Sequence, residues 1–315
     1  MGRLHYKVVM EKTALLFAGQ GAQYVGMGKD LYEAFPESKT VFDKADKVLG
    51  FSLSKLCFDG PQAELTKTQN CQPAILVASI AAWEAFKSTD RYSPSAISYA
   101  AGLSLGEYSA LVAIGAIGLE ETVHLVRKRG EFMEEEALKF PGSMASIIGL
   151  DLTAIKNICN KTKAEIANIN SPGQIVISGG TKDIEAAAKE AEEAGARRVI
   201  MLEVSGAFHS SYMRQAALKL AGELDKIKIS TPQIPLVNNV AARPLTRPDE
   251  IKENLIKQIT GSVLWEDSMK FLLSEGIKNF IEFGPGKVLK GLMRRIDDTA
   301  QVINIEKKED ILKKE

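Results

Sequence analysis

The chain has 315 residues, 45% of them apolar and 25% charged, enough to bury a large core as one large or two smaller domains. Lysine plus arginine equals aspartate plus glutamate at 40 each, so no global charge directs the protein to nucleic acid, and no apolar run is long enough to span a bilayer. Cys57, Cys71 and Cys159 lack metal-ligand spacing and residues 1–11 lack an apolar leader, so a cytoplasmic protein with reduced thiols and no metal is expected.

Residues 1–9 are expected to form an extension outside the fold. Thr13–Phe17 reads as a buried strand. It runs into Gly19-Gln20-Gly21-Ala22-Gln23 and Gly26-Met27-Gly28, a glycine-rich loop that invites a nucleotide reading. However, Lys29 is followed by Asp30 rather than Ser or Thr, and the third glycine of a dinucleotide fingerprint is missing. Helices are expected over Lys29–Phe35 and Thr40–Leu49. Gln72-Pro73-Ala74 opens a long apolar helix to about Lys87, with Pro73 suited to its first turn.

Ala96–Ala100 reads as a strand and leads into Gly102-Leu103-Ser104-Leu105-Gly106, the G-x-S-x-G pattern of a nucleophile elbow. Helices are expected at about 105–114 and 119–138. From Ser143 onward the pattern becomes strand (Met144–Leu150), helix (Leu152–Lys161, capped by Asp151), strand (Glu165–Asn168), turn, strand (Gln174–Ser178), helix (Lys182–Ala194) and strand (Arg197–Val204). That order is the βαββαβ of ferredoxin-like units. A helix His209–Ile227 and a strand Ile234–Val240 follow, then helices near 248–259 and 264–275. Asn279–Phe283 is a strand, Gly284-Pro285-Gly286 turns into a helix Lys287–Arg295, and Gln301–Ile305 is a last strand. The charged tail from Lys307 is expected to fray.

A serine in such an elbow stands clear of its strand, and the N–H of Leu105 would face an oxyanion on an attacked acyl group. The plainer reading is a strand–glycine–helix junction with a surface serine. A serine nucleophile needs a base. Of the three histidines, His5 lies in the extension and His124 within a helix, where a satisfied structural role suits it. His209 lies at a strand-to-helix junction and is the base by elimination. Arg129 lies beside the apolar face of its helix, which carries Val123, Val126, Gly130, Met133 and Ala137. It either snorkels to water or offers a bidentate fork to a carboxylate on the acyl group.

Taken together, Gly19–Gln23, Gln72-Pro73-Ala74, Gly102–Leu111, Arg129-Gly130, Asn170–Gln174, Ala207-Phe208-His209, Asn238-Asn239-Val240 and Glu282–Gly286 resemble the malonyl-CoA:acyl carrier protein transacylase family from about residue 11 to 305. The resemblance implies an α/β fold: an α/β-hydrolase-like large subdomain (10–138 and 205–315) with an inserted ferredoxin-like subdomain (139–204). It implies that Ser104 is acylated, His209 is the base and the backbone carbonyl of Gln258 orients the histidine. The oxyanion hole would be the N–H groups of Gln20 and Leu105. Arg129 would pair with the malonyl carboxylate, with Phe208 and Met133 lining the acyl site. No cofactor is implied, since the CoA thioester is a substrate, and the partners would be malonyl-CoA and acyl carrier protein, with neither nucleic acid nor membrane. A monomer is expected.

Leu103 departs from the family, which usually has histidine before the serine; the acyl pocket should be less polar. Carrier-protein docking is expected on Lys287, Lys290, Arg294 and Arg295, or on Arg197 and Arg198. A thioesterase or other acyl hydrolase of similar fold is the alternative, and a non-catalytic scaffold would need no such Ser, His and Arg set.

Overall fold

In the computed structural model of the chain, which describes residues 12–313, the apolar run Thr13–Phe17 is β1, buried at every position. Continuous apolar runs of this kind suit parallel strands covered on both faces. β1 and β2 (Ile97–Gly102) start a sheet that the chain leaves to build β3 (Gly142–Ile148), β4 (Glu165–Ser171), β5 (Gln174–Gly180) and β6 (Arg198–Met201). It then returns with β7 (Leu236–Val237), β8 (Pro244–Leu245), β9 (Asn279–Phe283) and β10 (Gln301–Ile305). The main sheet has the order β10-β9-β1-β2-β7-β8 and is parallel except for β8. Phe17 is level with Gly102 on one side and Phe283 on the other, so three strands end at one edge. The carboxyl edge of a parallel sheet is where loops gather to form a site.

β3 to β6 form a separate antiparallel sheet of order β4-β5-β3-β6. Helices Leu152–Thr162 and Thr181–Glu193 cover one face, and Ala145, Ile147, Ile155, Ile177 and Ile184 pack there as a core of their own. Met144 and Val176 point the other way and join the main core, as the period-two alternation of a strand requires. Asp151 caps the first of these helices through Ala154 N–H at 2.8 Å, as the sequence indicates.

Several elements differ from the sequence reading. The long apolar helix begins one turn earlier, at Thr68, so Pro73 lies inside it. Proline there deprives the Gln69 carbonyl of its helical N–H, and Arg127 donates to that carbonyl instead at 3.1 Å. The helix expected from Thr40 starts at Pro36, and short helices form at Leu53–Asp59 and Gln62–Thr66. The strand expected over Ile234–Val240 is two residues long, and β6 stops at Met201. The tail forms a helix, Lys308–Leu312, because Ile311 is buried and Arg91 donates to the Asp310 carbonyl at 2.6 Å. The expectations for residues 1–9 and His5 lie outside the described residues.

Candidate active site

The turn after β2 is held by close backbone contact. A Cβ on Gly102 would lie 1.9 Å from the Gly106 carbonyl carbon, and one on Gly106 would lie 2.1 Å from the Phe17 oxygen. Only glycine fits at both places. Ser104, between them, has φ +52°, a left-handed conformation that costs a residue with a Cβ about 1–3 kcal/mol. Asn239, arriving from the end of β7, holds that geometry: its Oδ1 accepts from Ser104 N–H at 2.6 Å and its Nδ2 donates to the Gly102 carbonyl at 2.8 Å.

His209 does not open a helix. It too has a positive φ, +56°, and the regular helix starts only at Arg214, after one turn of 3-10 helix at Ser211–Met213. Its Nε2 lies 2.8 Å from Ser104 Oγ, and its Nδ1 lies 2.8 Å from the Gln258 carbonyl. A carbonyl can only accept, so Nδ1 carries the proton and Nε2 keeps its lone pair for the serine hydroxyl. Burial pushes the imidazole pKa down to about 4, helped by the nearby positive charge of Arg129. His209 is therefore a neutral acceptor at neutral pH. His124, by contrast, is exposed on the helix Leu119–Lys139 and not a buried, satisfied histidine.

Arg129 does not snorkel: it is 1% exposed. One guanidinium nitrogen donates to Gln72 Oε1 at 2.8 Å. The other donates to Gln258 Oε1 at 3.1 Å and to Ser104 Oγ at 3.2 Å. The Arg129 guanidinium also lies 5.4 Å from the Tyr108 ring centroid. All its hydrogen-bond partners are neutral, and Nε has none. A buried cation without an anion is costly unless something supplies one. Gly130 lets this helix close on its neighbour, since a Cβ there would lie 2.7 Å from Gln69 Cα.

The N–H groups of Leu105 and Gln20 have no hydrogen-bond acceptor among the described residues. The two loops touch: a Cβ on Gly19 would lie 2.5 Å from the Leu103 carbonyl oxygen. The Leu103 side chain packs on the apolar cluster around Leu16 and Ala101. Met133 is joined to the arginine through Gln72, whose Nε2 lies 3.5 Å from Met133 Sδ, and Phe208 is buried beside His209. Three side chains that the site uses were given no role in the sequence: Gln72, Asn239 and the amide of Gln258. Gln72 carried a visible signal, a polar residue in a run of buried apolar ones. Among the described residues no group of three His, Cys, Asp or Glu could hold a metal ion, and no helix is long and apolar enough to cross a membrane.

The arrangement can attack an acyl group with serine, shuttle one proton on histidine and hold an anion on arginine. Residues 14–307 match the family described as the acyl transferase domain. A malonyl CoA-acyl carrier protein transacylase of Bacillus subtilis (strain 168) is 47% identical over 307 residues, covering 96% of each chain. Its namesake in Escherichia coli (strain K12) is 41% identical over 92% of this chain and 94% of its own. Among solved structures, a malonyl-transacylase in complex with its type II PKS acyl-carrier protein superposes with a TM-score of 0.92 at 38% identity, covering 96% of this chain and 98% of its own.

Proposed function

The chain belongs to the acyl transferase domain family, and from that premise we propose that it moves a malonyl group from malonyl-CoA to the thiol of acyl carrier protein through a malonyl-Ser104 intermediate. The observation that carries this reading is Arg129, a buried guanidinium with neutral partners that reaches the Ser104 hydroxyl. An acyl chain ending in a carboxylate would supply the missing anion within reach of the nucleophile. An esterase has no use for it.

The steps follow from the geometry. His209 Nε2 takes the serine proton as Oγ attacks the thioester carbonyl. The oxyanion is received by the N–H groups of Leu105 and Gln20, which lack other acceptors. On collapse the C–S bond breaks, and His209 returns the proton to the departing thiolate. The carrier-protein thiol then attacks the malonyl-serine by the same route in reverse. No cofactor takes part in these steps. The two sheets support an α/β-hydrolase-like subdomain, residues 10–138 and 205–315, with a ferredoxin-like insert, residues 139–204. The four insert strands have the spatial order second-third-first-fourth.

Brief exposure to malonyl-CoA should leave a malonyl adduct on Ser104 by peptide mass spectrometry, discharged by acyl carrier protein more rapidly than by water. An adduct that persists in Ser104→Ala would overturn the reading, and a wild-type adduct lost mainly to water would favour the hydrolase.

The two basic patches border one cleft of about 560 Å³, lined by Gly149, Pro172, Gly173, Arg197 and Arg295. Arg295 donates to Gln174 Oε1 at 2.7 Å, tying the helix Val288–Ile296 to the insert. Charge on a rim acts on encounter more than on chemistry. Arg197→Glu and Arg295→Glu are therefore expected to raise KM for acyl carrier protein several-fold, most at low salt, with KM for malonyl-CoA altered less. Equal effects on both substrates would place docking elsewhere.

A further inference from the structure

Glu107 has no part in the steps above, yet it is 1% exposed at the start of the helix Gly106–Ala113 that follows the nucleophile. Its carboxyl oxygen accepts from Gln258 Nε2. That same amide nitrogen lies 3.1 Å from the Ser104 carbonyl and 3.4 Å from Asn239 Oδ1. Its oxygen, on the other side, accepts from Arg129. Flipping the Gln258 amide would turn an N–H₂ toward the guanidinium and an oxygen toward the Ser104 carbonyl and Asn239 Oδ1, so those neighbours determine its orientation. Meanwhile the backbone carbonyl of Gln258 holds His209. One residue thus touches the anion site, the base and the elbow, and Glu107 anchors its free end.

We propose that Glu107 is a positioning residue that acts through Gln258, fixing the side-chain amide so that the acyl-carboxylate site on Arg129 and the Ser104–His209 pair keep one register. Its charge state suits that role. Burial pushes the Glu107 carboxyl up to about 8, against the opposing pull of Gln258, the Asn239 backbone and Arg129. At neutral pH it is mainly the acid, which accepts from Gln258 without neutralising Arg129. An ionised carboxylate there would compete with the substrate for the guanidinium.

The inference rests on the malonyl-transfer reading, and its test uses the ratio of malonyl to acetyl transfer among variants of the whole enzyme. Glu107→Ala is expected to lower that ratio about tenfold, the size of one lost hydrogen bond beside a charge. Glu107→Gln, which keeps an uncharged acceptor, should restore the ratio to within about threefold of wild type. In a Gln258→Ala background, Glu107→Ala should cost little more, because the partner it acts on is gone. Should Glu107→Ala not fold, Glu107→Asp withdraws the same acceptor by one methylene and should lower the ratio where Glu107→Gln does not.

An unchanged ratio in the folded Ala or Asp variant, Glu107→Gln matching Glu107→Ala, or full additivity with Gln258→Ala would each overturn the proposal. Wild-type malonyl transfer to acyl carrier protein, measured in parallel, separates these outcomes from failure of the transfer reading itself.

Discussion

Replacing Arg129 with alanine is expected to cut malonyl transfer by two to three orders of magnitude while acetyl transfer holds or rises. The guanidinium lies 1% exposed and its oxygen partners are two amides and a hydroxyl. The attraction between Arg129 and a bound carboxylate is therefore screened little by water. Losing a charge-assisted pair in such a place costs about 3–4 kcal/mol, and each 1.4 kcal/mol is about tenfold in rate. An acetyl group has no carboxylate and loses nothing of this. It gains instead from removal of an uncompensated buried cation, whose desolvation already lowers the arginine's own pKa. The measurement is kcat/KM for both thioesters with acyl carrier protein as acceptor. An equal fall for both would make Arg129 a structural residue that steadies Gln72 and Gln258.

The strands that proved most legible are those with the simplest environment. β1, β9 and β10 have the bounds that the sequence indicates, and β1, buried at every position in the middle of the sheet, is the continuous run that a strand covered on both faces requires. Local signals failed where a distant partner altered the outcome. Pro73 favours a first turn, but the Arg127 guanidinium satisfies the Gln69 carbonyl that proline leaves open. The charged tail looks suited to fraying, yet Ile311 is buried and Arg91 reaches across from the loop after the long helix. His209 stands next to an amphipathic stretch that reads smoothly as helix, and nothing local announces its left-handed backbone.

The site divides in the same way. Ser104 stands out by its glycines, His209 by the scarcity of histidine, and Arg129 by its position beside an apolar face, and the fold brings all three within hydrogen-bonding reach. Asn239 and Glu107 lie in stretches that carry the family resemblance, but nothing local gives them, or the Gln258 side chain, a role. Their hydrogen bonds to the elbow or to each other join residues far apart in sequence, so only the folded chain gives those side chains a distinctive environment.

Replacing His209 with alanine is expected to slow acylation of Ser104 by a factor of at least about 10³, since the serine then has no positioned base. The Arg129 contact at 3.2 Å cannot substitute, because a guanidinium donates and does not accept. The pH profile of the wild type distinguishes loss of a base from loss of packing. An ordinary imidazole gains its proton near 6.5, whereas burial and Arg129 hold His209 down to about 4. The competent neutral form therefore persists through mildly acidic pH, and acylation should fall only as pH approaches about 4. Stability has the matching sign. Between about 6.5 and 4 the unfolded chain takes up this proton and the folded chain does not, so lowering the pH through that window favours unfolding. His209→Ala should lose that part of the acid destabilisation while remaining unable to acylate. Single-turnover acylation followed from neutral to acid pH, with thermal unfolding of both proteins over the same range, checks the two halves separately. An acylation rate that titrates near 6.5 would mean that the imidazole is solvated during the reaction, and the buried Ser104–His209 pair would then not be the reacting form.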